Sequence, residues 1–165
     1  MGLIPRCTVP PVGDVVTLAE MKGHLRELDN FEDGLIQQAI NDAVAHLDGW
    51  RGILGRCILE QTWEVDIPCA GTFRLPLPDV IDATSADATV TLSRDGLGSL
   101  VTVDATATVS FRAKMPDELM PVVQRCVKLL AAHWMENRLA ASGDDIRATP
   151  LAVDAMIGPI RWTRI

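Results

Sequence analysis

Three histidines, four cysteines and a scatter of carboxylates are the residues of this chain that could do chemistry. Acid–base or nucleophilic catalysis needs a base held by a partner and aimed at its target. His24 and His46 fall on different expected helices, and neither has a carboxylate at motif spacing. His133 and Glu136 stand three apart, which can put two metal ligands on one helix face. A metal site needs a third and a fourth ligand, and no HExxH or second ExxH supplies them. Cys7, Cys57, Cys69 and Cys126 are dispersed, with no CxxC pair and no leader-like segment before them. They read as reduced, mostly buried thiols of a cytoplasmic product. Gly96-Leu97-Gly98 is no phosphate loop, because neither GxGxxG nor GxxxxGKS/T occurs and no helix follows it. Asp144-Asp145 reads as a solvated stop signal. No catalytic residue, metal or cofactor is expected.

The background to these residues is acidic. The chain has 165 residues, 48% of them hydrophobic and 22% charged, with a formal net charge of −7. Such a length fits one domain, or one domain plus a tail, and can bury roughly 70% of its unfolded surface without disulfides or metal. An acidic surface repels phosphate, which excludes a sequence-independent grip on nucleic acid over most of the molecule. No stretch reaches 18 apolar residues, so no membrane partner is expected.

The elements are set by periodicity. Pro5, Pro10, Pro11 and Gly13 make the first fourteen residues an extended arm. Thr17 three residues before Glu20 is a capping box, and Leu18, Met21, Leu25 and Leu28 predict a helix over about 18–28. Ile36, Ile40, Ala43, Leu47, Trp50 and Leu54 continue one stripe and predict a second helix over 31–54. From Ile58 the period changes to two, and short strands broken by Pro68, Pro76 and Pro78 predict a small antiparallel β region over about 58–113. Leu119, Val122, Val123, Cys126, Val127, Leu130 and Trp134 predict a third helix over 117–140. The expected fold is mainly α with a β insert: a helical bundle of three helices interrupted by the β region. The expected division is a single domain over 1–145 and an extended C-terminal tail over 146–165.

That tail is the sharpest candidate site. It carries Leu151, Val153, Met156, Ile157, Ile160 and Trp162, too many large apolar side chains for an idle terminus. Pro150, Gly158 and Pro159 argue for an extended path, which can lie in a partner's groove or on a strand edge. Arg161 and Arg164 can meet acidic groups. The alternative is that the tail packs on its own domain.

Three word-like stretches stand in this order of elements: Thr17-Leu18-Ala19-Glu20-Met21-Lys22-Gly23-His24-Leu25, Gln61-Thr62-Trp63-Glu64 and Ala132-His133-Trp134-Met135-Glu136-Asn137-Arg138. Together with Ile157-Gly158-Pro159-Ile160-Arg161 they resemble the head–tail connector family (adaptor, or head-completion, proteins) of long-tailed phages, prophages and gene transfer agents. Met135 and Ile160 stand where that family commonly has an aromatic residue. The resemblance spans roughly residues 15–165. It implies a non-enzymatic ring of copies, twelve to match the portal, seated under the capsid portal in the neck of a phage-like particle. Such a ring links the DNA-filled head to the next neck or tail-completion protein and leaves a channel through which DNA passes without specific binding. The protein would be made in the bacterial host cytoplasm. The tail residues Leu151, Val153, Met156, Ile157, Ile160, Arg161, Trp162 and Arg164 would then be the portal-binding set.

The competing expectation is a DNA-packaging factor of the terminase small subunit type. It would bind DNA directly and predicts a basic helix or a helix-turn-helix, neither of which is visible. A small enzyme is the third reading, and the unpaired histidines give it little support.

Overall fold

A computed structural model describes residues 3–27, 30–136 and 151–163. Among them are four α-helices and seven β-strands, which separate into a helical unit (14–47 and 118–161) and a β unit (1–13, 48–117 and 162–165).

The helical unit begins at the expected capping box. The Glu20 N–H donates to Thr17 Oγ1 at 3.3 Å, and the Thr17 N–H donates to the Glu20 carboxylate at 2.8 Å. This starts α1 (Leu18–Leu25), and Arg26 closes it in the left-handed region at φ 59°. The helix is therefore shorter than the expected 18–28, whose last residue lies outside the described residues. Lys22 ties α1 to α2 (Asp33–Leu47) through an ion pair to Asp33 at 2.6 Å. The apolar stripe of α2, with Ile36, Ala39, Ile40, Ala43 and Leu47 all buried, packs on α3 (Met120–Glu136). In return α3 buries Val123, Cys126, Val127, Leu130 and Ala131. Pro121 is the second residue of α3, where its missing N–H has no intrahelical partner to lose. A 3₁₀ turn over Asp117–Leu119 leads into it.

The second helix ends at Leu47, not at 54. The Asp48 carboxylate turns away to accept from the Ile58 N–H at 2.7 Å and from the Gln61 side chain at 2.5 Å. Gly49 comes next with φ 75°, a conformation that favours glycine, and its N–H donates to the Arg56 carbonyl at 2.8 Å. Leu54 is still buried, but from a loop of the β unit.

The β unit holds two antiparallel sheets. In the first, β1 (Arg6–Val9), β2 (Gln61–Ile67), β7 (Ala107–Ala113) and β4 (Val80–Thr84) run in the order β1-β2-β7-β4. In the second, β3 (Gly71–Arg74), β6 (Gly98–Val103) and β5 (Val90–Asp95) run in the order β3-β6-β5. β2 and β7 pair along their whole lengths, from Gln61↔Ala113 to Ile67↔Ala107. Alternation then sends Val65 and Ile67 inward with Val109, Phe111 and Ala113, to meet Val101 and Val103 of β6. Leu75, Leu77 and Cys57 complete this core.

The expected mainly α architecture is therefore overturned. The chain is mixed α and β, with two sheets enclosing a core of their own rather than a minor insert in a bundle. The extended tail is corrected as well, because Leu151–Ile157 is helical (α4) and packs on α3. A proline at the start of a helix loses no intrahelical hydrogen bond, so a proline in the sequence just before Leu151 is no argument against a helix from there. The expected break at Asp144-Asp145, the division at 145/146 and the end of the third helix at 140 lie outside the described residues. Among the described residues, no helix is long and apolar enough to cross a membrane.

Candidate functional site

Seven of the eight candidate tail residues are described, and they differ in burial. Val153 and Ile157 are buried in the helical unit, on the face of α4 that meets α3. Leu151 is 87% exposed at the start of α4, and Met156 is half-buried. A turn succeeds the helix, in which the Gly158 N–H donates to the Asp154 carbonyl at 3.0 Å and the Arg161 N–H to the Ile157 carbonyl at 2.8 Å. Ile160 is half-buried in that turn and Arg161 is exposed. Arg164 lies outside the described residues.

Trp162 belongs to the β unit, which holds a seat for it. Its N–H donates to the Leu54 carbonyl at 2.8 Å. A Cβ on Gly55 would stand 2.7 Å from the Trp162 carbonyl oxygen, and one on Gly98 would stand 2.9 Å from the indole Cζ2. Both glycines have positive φ, 62° and 121°, so hydrogen at Cα is required there twice over. The Arg56 guanidinium lies 5.8 Å from the indole centroid. A hollow of about 200 Å³ surrounds the seat, lined by Arg56, Asp79, Arg94, Asp95 and Ser99 among others.

Charge pairs fix the walls of this hollow. Arg56 pairs with Asp79, and Arg94 donates to the Val80 carbonyl. Arg74 grips Asp95 through two hydrogen bonds of 2.7 and 2.8 Å, while the Leu97 N–H donates to the same carboxylate at 2.8 Å. The Arg74 hydrogen bonds, then the Leu97 N–H, hold the Asp95 carboxyl at about 2. Asp95 thereby braces the β5–β6 turn that presents Gly98. Gly96-Leu97-Gly98, excluded from the sequence as a phosphate loop, is the tip of the β5–β6 hairpin, and its last glycine receives Trp162, a role its sequence does not announce. The available signal was the second glycine, which a two-residue turn does not by itself need.

The candidate chemistry residues remain apart. His24 is exposed on α1. His46 meets Trp134 edge-on, with ring centroids 5.7 Å apart. Among the described residues, no three His, Cys, Asp or Glu side chains converge as metal ligands. Cys57 and Cys126 are buried, Cys7 and Cys69 are exposed, and all four are free thiols. Burial pushes the Cys57 thiol far above its ordinary range, which makes it a packing residue rather than a nucleophile.

No protein-family model matches the chain, and no curated protein matches it. Solved structures do. A chain from the neck of an empty gene transfer agent particle, computed with C6 symmetry, superposes with a TM-score of 0.71 at 19% identity, covering 98% of this chain and 97% of that one. A chain from the virion of a native gene transfer agent particle gives 0.70 at 18% identity, with the same coverage. A chain from the neck of a native particle, computed with C12 symmetry, gives 0.54 at 17% identity over 96% of this chain and 97% of that one. The likeness runs through both units and is one of fold.

Proposed function

We propose that this protein is a structural component of the neck of a phage-like particle, and within it a head–tail adaptor without enzymatic activity. Copies, twelve of them, would stand in a ring under the portal, join the DNA-filled head to the next neck component and leave a channel for DNA. The observation that carries this reading is the shared fold over 98% of the chain with a chain of a gene transfer agent neck. The four sequence stretches that resemble the connector family support it independently.

The net charge of −7 suits such a channel, because phosphate contacts would slow moving DNA. On the outer face of the first sheet, Glu60, Glu64, Asp66 and Asp82 outnumber Arg6 and Arg112, which they pair with. Cations that are already paired offer little to phosphate.

For the portal contact, the tail divides into two roles. Val153, Ile157 and Trp162 anchor it, and Leu151, Met156, Ile160 and Arg161 offer the surface. Large apolar side chains at the centre and arginine at the rim are the composition of a protein interface.

Add-back to heads tests this. DNA-filled heads from particle-producing cells lacking this gene are mixed with the purified chain and imaged by electron cryomicroscopy. A ring of density under the portal, with restored tail joining, is expected. Leu151→Asp and Arg161→Glu should fold as the parent does and weaken joining. A chain that ignores heads but binds free DNA, with a steep salt dependence, would instead be a packaging factor.

A further inference from the structure

The hollow beside Trp162 is walled by hydrogen-bond donors that find no acceptor among the described residues. We propose that it takes a carboxylate, an acidic side chain that the portal presents to the tail; the inference rests on the neck reading.

Ser99 is 1% exposed and lines the hollow. Its Oγ accepts from the Val80 N–H at 3.3 Å, but its own O–H meets no acceptor among the described residues. A buried donor left in that state costs free energy that an incoming acceptor recovers. Arg94, also on the wall, donates to the Val80 carbonyl and meets no carboxylate among the described residues, so most of its fork of N–H groups is unspent. The indole N–H of Trp162 has no acceptor among them either.

These donors are set before a ligand arrives. Asp79 at φ 58° and Gly98 at φ 121° hold left-handed backbone immediately beside Val80 and Ser99, and the hydrogen bond between those two ties β4 to β6. Donors fixed in advance lose little freedom on binding.

Charge makes the ligand an anion. Arg56 is spent on Asp79 and Arg74 on Asp95, which leaves Arg94 as the excess cation of the wall, on a chain of net charge −7. A carboxylate suits the donors in shape. Its two oxygens match the planar arginine fork, and the Ser99 hydroxyl and the indole N–H serve the remaining lone pairs. A nucleic acid would bring a run of phosphates against Asp79, Asp95 and an acidic chain, a repulsion that one carboxylate largely escapes. The source of the carboxylate follows from the tail. Trp162 is a wall of the hollow and the next residue after Arg161, which belongs to the proposed portal surface. An acidic portal segment that meets Arg161 therefore continues onto the hollow.

Nuclear magnetic resonance of the full chain tests the site, with sodium propionate (the glutamate side chain without its backbone) titrated at constant ionic strength. The Gly98 and Ser99 amides and the Trp162 indole N–H should shift together and saturate. Arg94→Gln, at an exposed position, should melt as the parent does and abolish saturation. Ser99→Ala leaves the charge in place and should weaken binding at least about twofold. Shifts that do not saturate overturn the site, as does a stronger response to inorganic phosphate than to propionate, or parental binding by either variant. On DNA-filled heads, Arg94→Glu should weaken tail joining at least about tenfold. Parental joining by Arg94→Glu would overturn the portal carboxylate as the occupant while leaving the neck reading intact. Heads that refuse even the parent chain would overturn the neck reading itself.

Discussion

The indole of Trp162 occupies the space that a side chain on Gly98 would fill, with Cζ2 2.9 Å from where that Cβ would stand. One turn of the β5–β6 hairpin is thus shaped around a residue 64 positions further along the chain. The pair explains why a second glycine comes after Gly96, and why an otherwise interface-like tryptophan is half-buried.

Gly98→Ala should therefore cost stability twice, through strain at φ 121° and through collision with the indole. A loss of roughly 1–3 kcal/mol is expected in urea unfolding. In a Trp162→Ala background the collision is gone and only the strain remains. The cost of Gly98→Ala should then fall by at least about 0.5 kcal/mol, the coupling expected of residues in contact. Equal costs in the two backgrounds would mean that the ring does not rest on Gly98 in solution.

Asp95 gives the hairpin a pH dependence. Its folded carboxyl titrates at about 2, below the ordinary value near 3.9 for an unfolded aspartate. The folded pKa is depressed, so its contribution is present above pH ~4 and is lost as pH falls through the folded value. The stability difference between the parent and Asp95→Asn should shrink steadily from about pH 4 down to 2. A difference that stays constant over that window would show that the Arg74 grip does not persist.

The helix pairing is testable at its two centres. Leu47 on α2 and Val127 on α3 are both fully buried. Leu47→Asp or Val127→Asp places an uncompensated charge in that interface and should cost at least about 3 kcal/mol. A thermal melt of either variant that matches the parent would refute the pairing.

What the sequence made legible was local. The Thr17–Glu20 capping box, the α2 and α3 stripes and the alternation of β2 are all set by residues within a turn or two of one another. What it hid depends on distance. β2 pairs with β7, forty or more residues away, and no periodicity names that partner, so strands of four to seven residues looked like an insert rather than two sheets. β1 is four residues long, shows no alternation in burial and carries a register shift, which left it indistinguishable from an arm. Leu47 and Trp50 share one stripe, yet the Asp48 side chain between them leaves the helix to bind Ile58 and Gln61. For the tail, composition singles out large apolar residues but does not assign them. The burial of Val153 and Ile157 depends on α3, and that of Trp162 on Gly55 and Gly98.

Asp48 is itself a titrating group. Burial pushes its carboxyl up, against hydrogen bonds from the Ile58 N–H, the Gln61 side chain and the Gly49 N–H that hold it down. Gln61, 3% exposed, passes the network on by accepting from the Trp63 indole N–H at 3.1 Å. Asp48→Ala leaves the Ile58 N–H and the Gln61 amide without their acceptor, and should cost about 2 kcal/mol or more at neutral pH. The pH trend runs opposite to that of Asp95. Because the folded pKa is raised, the stability linked to this group is fully present below the unfolded value and is lost as pH rises through the folded one. The margin of the parent over Asp48→Ala should thus be largest in acid and narrow as pH climbs past ~4. Urea unfolding of both proteins across that range reads the sign directly. A margin that widens with pH would mean that the hydrogen bonds outweigh burial, and that the Asp48 loop is better solvated than its packing shows.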